Sequence, residues 1–250
     1  MGLMKAYDYI EKDPEQNIPK LMNFLDTVLP DSVLEIQRKA MREVLCDRNN
    51  NWYKLFLSLF TDIDAGVRRR IFENFVVNSD VIGLESAEWF KEKYNCNIPW
   101  AILMDPTSAC NLHCTGCWAA EYGNHMNLSY EEMDGIVTQA KGMGTYVYLF
   151  TGGEPLVRKK DIIRLCEAHP DCVFSGFTNG TLIDEAFAGE MLRVKNFVPA
   201  ISIEGFEEAT PTAAAAMAHT PPSYERWRYS SATNCPSASP AATPARMPRS

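Results

Sequence analysis

Long apolar runs are missing from this chain. Nothing in its 250 residues approaches the roughly 20 consecutive apolar side chains that cross a bilayer, so no transmembrane segment is expected. The amino terminus, Met1-Gly-Leu-Met-Lys-Ala-Tyr-Asp, lacks the basic stretch and apolar core of a secretory signal. Excess positive charge is missing as well. The formal net charge is -8, which excludes a general nucleic-acid binder carrying a basic stripe. There are eight cysteines, but in a chain with no signal they read as metal ligands or buried thiols, and a reducing cytoplasm is the expected compartment.

One absence is local. From Pro211 to Ser250 there is no Leu, Ile, Val, Phe, Gly, Asp or Lys. Ala, Pro, Ser, Thr and Arg dominate, with Pro221-Pro222 among them, and such a stretch has no apolar face to bury. Residues 210–250 are expected to form a disordered tail. The change comes directly after a strand that calls for a helix, so a shifted reading frame or mis-joined gene end is the expected origin, with an evolved flexible tail as the alternative.

What is present divides in two. Residues 1–95 read as an all-helical bundle domain. Asp31 is an expected N-cap, with Val33, Ile36, Ala40 and Val44 at helical spacing behind it. Three further stripes follow: Trp52, Leu55, Phe56, Leu59 and Phe60; Val67, Ile71, Phe72, Phe75 and Val76; then Leu84, Ala87, Phe90 and Tyr94. These aromatics are expected to pack the bundle core, and Arg68-Arg69-Arg70 to be a solvated helix face.

Over 96–209 strands and helices alternate. Trp100–Thr107, Thr145–Thr151, Cys172–Thr178 and Val198–Ile203 read as strands. Helices are expected after the capping box Ser129-Tyr-Glu-Glu132, over about 160–168, and over about 183–193. This order predicts an α/β fold with a parallel sheet or partial (βα) barrel whose site lies at the C-terminal ends of its strands.

The chemistry concentrates after the first strand, in Cys110-Asn-Leu-His-Cys114-Thr-Gly-Cys117. Three thiolates on one loop can hold a metal centre and leave one position open. A zinc site closed by His113 or His125 would use the same thiols. Cys46, Cys96, Cys166, Cys172 and Cys235 show no ligand spacing; Cys46, Cys166 and Cys172 are expected to be reduced thiols in or near the core. Gly152-Gly-Glu-Pro155 ends the second strand, where glycines permit close backbone approach and Glu154 can accept from an ammonium. Thr178-Asn-Gly-Thr181 ends the third strand. Ser202 and Glu204 share one side of the fourth by the two-residue period.

The C-x3-C-x2-C loop with Asn111-Leu112, followed one βα unit later by Gly-Gly-Glu-Pro, resembles the radical S-adenosylmethionine (radical SAM) superfamily over about residues 100–205. The resemblance implies a 4Fe-4S cluster on Cys110, Cys114 and Cys117. It implies that Gly152, Gly153, Glu154 and Pro155 bind the methionine moiety of S-adenosyl-L-methionine, with Asn179, Ser202, Glu204 and Gly116 also at the cofactor. Gly116 stands where many members carry an aromatic residue, and Trp118 lies on the other side of Cys117.

The implied reaction is one-electron cleavage of the sulfonium to methionine and a 5′-deoxyadenosyl radical, which abstracts hydrogen from a substrate the sequence does not name. It implies an external one-electron donor, a flavodoxin or ferredoxin. Family cores usually have six βα units and four strands are counted here, so the alternative is a non-catalytic truncated fragment or metal-binding module.

Overall fold

The computed structural model describes residues 2–28, 35–114, 116–117, 119 and 122–202. The cap expected at Asp31, with Val33, and the tail expected over 210–250 lie outside the described residues. The chain falls into two compact units, Met1–Arg68 and Arg69–Ser250. This division by packing differs from the boundary near 95 that composition suggests.

The first unit is helical, as expected: α1 Gly2–Lys12, α2 Pro14–Val28, α3 Glu35–Leu45, α4 Asn51–Asp62 and the start of α5 Ala65–Phe72. Pro14 opens α2 where a missing N–H costs nothing, and the Asn50 side chain caps α4 by accepting the Trp52 N–H at 2.9 Å. Ile18, Met22 and Leu45 form the core.

Two expectations need correction. Tyr53 is 4% exposed whereas Trp52 is 67% exposed, and Ile36 also faces out. Adjacent helix positions diverge by about 100°, so burying Tyr53 sends Trp52 outward. Arg68 is not on a solvated face either. It donates to the Glu11 carboxylate at 2.7 Å and the Tyr7 hydroxyl at 3.0 Å, and its Nη1 reaches the carbonyls of Leu59, Phe60 and Ile63 at 3.0–3.1 Å. It therefore satisfies carbonyls that the end of α4 leaves open. Arg68→Met is expected to lower the stability of this unit by about 2–4 kcal/mol in urea unfolding, because several charge-assisted bonds go at once. A change below about 0.5 kcal/mol, the usual size for a surface substitution, would return Arg68 to the solvated class.

In the second unit, helix continues without a break from α5 through a π-helical segment, Glu73–Gly83, into α6 Leu84–Tyr94. The sequence reads these as separate stripes, and Leu84 and Tyr94 are exposed instead of packed. A π turn is wider than an α turn, so the 3.6-residue spacing does not track one face through it. Asn74, fully buried on this segment, donates to the carbonyls of Pro170 and Cys172 at 2.9 and 2.8 Å. Asn78 donates to that of Asp171 at 3.0 Å. These buried bonds explain why the segment groups with the sheet.

The α/β part is β1 Ala101–Met104, α7 Tyr130–Gly142, β2 Val147–Phe150, α8 Lys159–Ala168, β3 Val173–Thr178, α9 Glu185–Val194 and β4 Phe197–Ile201. All pairings are parallel and the order is β1-β2-β3-β4. Among the described strands the order never reverses, so they show no doubly wound switch point and wind as a partial (βα) barrel. The capping box forms at the start of α7, with Ser129 Oγ receiving the Glu132 N–H. One sheet face, with Tyr148, Phe150, Phe174 and Phe197, packs on Met133, Val137, Ile162 and Met191. Leu103, Leu149, Ser175 and Phe177 share the other face; Leu103 and Phe177 are 59% and 49% exposed. The site loops lie at the C-terminal ends of the strands.

Candidate functional site

The cysteine loop leaves β1 and returns to α7 through a pinched base. Thr107 and Asn127 form an antiparallel bridge, with Thr107 Oγ1 donating to Asn127 Oδ1 at 2.6 Å. The Ser108 N–H donates to the Met126 carbonyl at 2.8 Å, and Leu128 N–H to that of Pro106 at 3.2 Å. Arg158 holds both ends of the base, donating to the Pro106 and Leu128 carbonyls at 3.3 and 2.8 Å. Asp161 fixes the guanidinium at 2.8 Å. Sequence reading passed over Arg158; its only signal is its place just beyond Gly-Gly-Glu-Pro.

Gly152 and Gly153 pack against the outgoing arm of this loop. A Cβ on Gly153 would lie 2.2 Å from the Ala109 carbonyl oxygen, and one on Gly152 would lie 2.6 Å from that of Thr107. Gly152 also has φ +101°, a backbone conformation that favours glycine. The N–H groups of Gly153 and Glu154 donate to Thr107 and Ala109 at 3.0 and 2.8 Å. The close approach these glycines allow is thus first of all that of the cysteine loop.

Glu154 is 1% exposed and points inward. Its carboxylate accepts from Thr178 Oγ1 at 2.6 Å, from the Asn179 N–H at 2.9 Å and from the Leu156 N–H at 3.0 Å. Burial pushes its pKa above the usual 4.5, against the pull of those three donors. The side chain therefore joins the ends of β2 and β3 from beneath.

Pro155 is buried and opens a short 3-10 turn, Pro155–Arg158. Asn179 lies beside Glu154, and the Ser202 N–H bonds the Thr178 carbonyl at 2.8 Å, so Ser202 adjoins the same strand ends. Gly116 has φ +76° and, among the described residues, nothing within 4 Å of an added Cβ, so its backbone angle calls for glycine. Glu204 and Trp118 lie outside the described residues.

Cys110, Cys114 and Cys117 are all half-buried. Cys110 Sγ accepts the Leu112 N–H at 3.4 Å. Burial, then the nearby Glu154 and Cys117, push its thiol pKa up, although that N–H pulls the other way. Three soft donors on one loop, one already under a backbone N–H, suit iron, whose clusters are held by thiolates. Among the described residues, no three Cys, His, Asp or Glu side chains converge as a single-ion site. A cleft of about 230 Å³ borders the loop on another flank, lined in part by Asp105, Ser108, Tyr122 and Met126. Of the expected site residues that are described, it touches only Gly152.

Residues 104–229 match the family model described as Radical SAM superfamily. Over 115 residues the chain is 35% identical to the Fe-coproporphyrin III synthase of Methanosarcina barkeri, covering 43% of this chain and 28% of that protein. It is 35% identical over 85 residues to the GTP 3′,8-cyclase of Chlorobaculum tepidum, covering 31% of this chain and 25% of that one. The chain thus spans about a quarter of the length of the curated relatives it matches. Among solved structures, Streptococcus suis SuiB aligns over 83% of this chain and 43% of its own, with TM-score 0.50 and 18% identity, a likeness of fold. Half of the chain matches the family model, and the strand ends carry its three-cysteine loop: the chain belongs to the Radical SAM superfamily.

Proposed function

We propose that this chain is the cofactor-binding part of an enzyme that cleaves S-adenosyl-L-methionine reductively. Cys110, Cys114 and Cys117 hold a 4Fe-4S cluster, and Gly152, Gly153, Glu154, Pro155, Asn179, Ser202, Glu204 and Gly116 serve the S-adenosyl-L-methionine. When bound, the pair supplies a one-electron route to breaking the sulfonium. The observation that carries this reading is the seating of the cysteine loop on Gly152 and Gly153, which brings Cys110, the residue after Ala109, near Glu154.

The protein's part is positioning and enclosure. Arg158 and the Thr107–Asn127 bridge fix the base of the loop. Since the Glu154 carboxylate is engaged inward, binding an ammonium falls to backbone carbonyls of the 152–155 turn. The apolar sheet face around Leu103, Leu149 and Phe177 offers a wall that keeps water from a reacting group. An external one-electron donor of the flavodoxin or ferredoxin class and a reducing cytoplasm complete the reading; among the described residues no helix is long and apolar enough to cross a membrane.

The test is anaerobic reconstitution with iron and sulfide, then dithionite reduction and EPR with and without S-adenosyl-L-methionine. A 4Fe-4S signal that changes shape with the cofactor is expected, together with release of 5′-deoxyadenosine. Cys114→Ala is expected to bring cluster iron to background. A cluster indifferent to S-adenosyl-L-methionine would remove the cofactor assignment. Zinc taken up in place of a cluster would favour the metal-binding module.

A further inference from the structure

The turn after β3 touches the cysteine loop through three side chains. Asn111 Nδ2 donates to Thr181 Oγ1 at 2.8 Å, and Thr181 Oγ1 donates to Asn179 Oδ1 at 2.6 Å. Asn179 Nδ2 closes the circuit by donating to Asn111 Oδ1 at 3.0 Å. Each group gives one proton and takes one, so the ring runs in a single sense, the arrangement in which hydrogen bonds reinforce one another.

The main chain sets that sense. The Thr181 backbone N–H, which can only donate, bonds Asn179 Oδ1 at 2.9 Å. The Asn179 amide oxygen must face Thr181, which leaves its NH2 for Asn111 and fixes the Asn111 amide in turn. Beneath the ring, the Asn179 N–H is held by the buried Glu154 carboxylate at 2.9 Å. The ring therefore ties the cysteine loop to a rigid strand end 68 to 70 positions away in the chain.

Asn111 directly follows Cys110, and the next N–H, that of Leu112, is the donor to Cys110 Sγ at 3.4 Å. Leu112 itself is buried. With the Asn111 side chain clamped on one side and Leu112 buried on the other, the peptide between them cannot turn its N–H away from the sulfur without breaking the ring.

We propose that the Asn111–Thr181–Asn179 ring is a positioning device that keeps the Leu112 N–H on the Cys110 sulfur, and so sets the reduction potential of a cluster held there. A donor aimed at a ligand sulfur favours the more negative, reduced form and raises the potential. Asn111 and Thr181 act through Cys110, as positioning residues. The proposal rests on the cluster reading above.

The experiment compares the full chain with Thr181→Val, Thr181→Ser and Asn111→Ala. Each is reconstituted anaerobically, its iron counted and its midpoint potential read by EPR-monitored potentiometry. In the metal-free proteins, exchange of the Leu112 amide hydrogen is followed by NMR. Thr181→Val removes only the ring hydroxyl. It is expected to keep wild-type iron, to move the midpoint negative, and to speed Leu112 exchange about two- to ten-fold, the worth of one net hydrogen bond. Asn111→Ala should do the same, and Thr181→Ser, which retains the hydroxyl, should restore both readouts.

Wild-type potential and exchange in Thr181→Val would overturn the proposal, even if Asn111→Ala fails to fold. Thr181→Ser behaving like Thr181→Val would also overturn it, because the methyl and not the hydroxyl would then matter. A wild-type chain that takes up no cluster would sink the cofactor reading, while the exchange comparison would still decide whether the ring holds the Leu112 N–H.

Discussion

Gly153→Ala is expected to cost about 3–5 kcal/mol of stability and to lower the iron that the reconstituted chain takes up, with urea unfolding and iron content as the readouts. The added Cβ would lie 2.2 Å from the Ala109 oxygen, 2.5 Å from the Ser108 oxygen and 2.6 Å from the Ala109 carbonyl carbon. All three are backbone atoms, so no side chain can rotate away and the segment before Cys110 must move. Moving it strains the bonds from Gly153 N–H to Thr107 and from Glu154 N–H to Ala109. Overpacking of this kind typically costs about 1–3 kcal/mol, and two lost backbone bonds add about 1 kcal/mol each. Gly116→Ala provides the contrast. It has a positive φ but, among the described residues, no atom within 4 Å of an added Cβ, so about 1–2 kcal/mol is expected from backbone strain. Equal losses at the two positions would mean that conformation and not close approach explains Gly153.

Much of this was legible in the sequence, for reasons that local physics supplies. The capping box at Ser129 and Glu132 is a short-range signal and formed as read. The four apolar stretches became four parallel strands, most ends trimmed by one to three residues where pairing stops, while β3 ends at Thr178 as read and β4 begins one residue early, at Phe197. The cysteine loop and Gly-Gly-Glu-Pro stand out by residue type alone.

What was not legible depends on partners distant in the chain. Glu154 in sequence is a carboxylate near a glycine pair; only the fold shows that Thr178 and Asn179 occupy it from beneath. Arg68 looks like one of three surface arginines until α4 ends beside it and offers three carbonyls. Asn74 and Asn196, both fully buried, hold the end of α8 and the turn before β3 through their carbonyls. No periodicity marks an asparagine for that task. The helical reading before the sheet erred at Trp52, Ile36, Leu84 and Tyr94 because an apolar residue at helical spacing has several faces available to it, and the neighbours choose.

Glu154→Gln is expected to lower stability by about 2–3 kcal/mol at neutral pH and to change how stability follows pH. The carboxylate takes two donors on Oε1, Leu156 N–H and Thr178 Oγ1, and the Asn179 N–H on Oε2. A glutamine amide can offer oxygen to the first pair only by setting its NH2 against the Asn179 N–H, donor against donor. Glu154→Ala leaves all three donors without an acceptor and should cost more, about 3–5 kcal/mol. The pH dependence carries a sign that separates burial from hydrogen bonding. Burial holds the folded-state pKa of Glu154 above 4.5, so the folded chain takes up the proton before the unfolded chain does. As pH falls from neutral through the folded pKa toward 4.5, this group therefore adds to stability, the reverse of a paired surface carboxylate. Glutamine does not titrate, so the stability difference between wild type and Glu154→Gln should widen as pH falls across that window and level off below 4.5. A difference that narrows instead would mean that the three donors outweigh burial and hold the carboxylate below its usual range. Glu154 would then be a conventionally stabilised anion, and its tie between the β2 and β3 ends would weaken in acid.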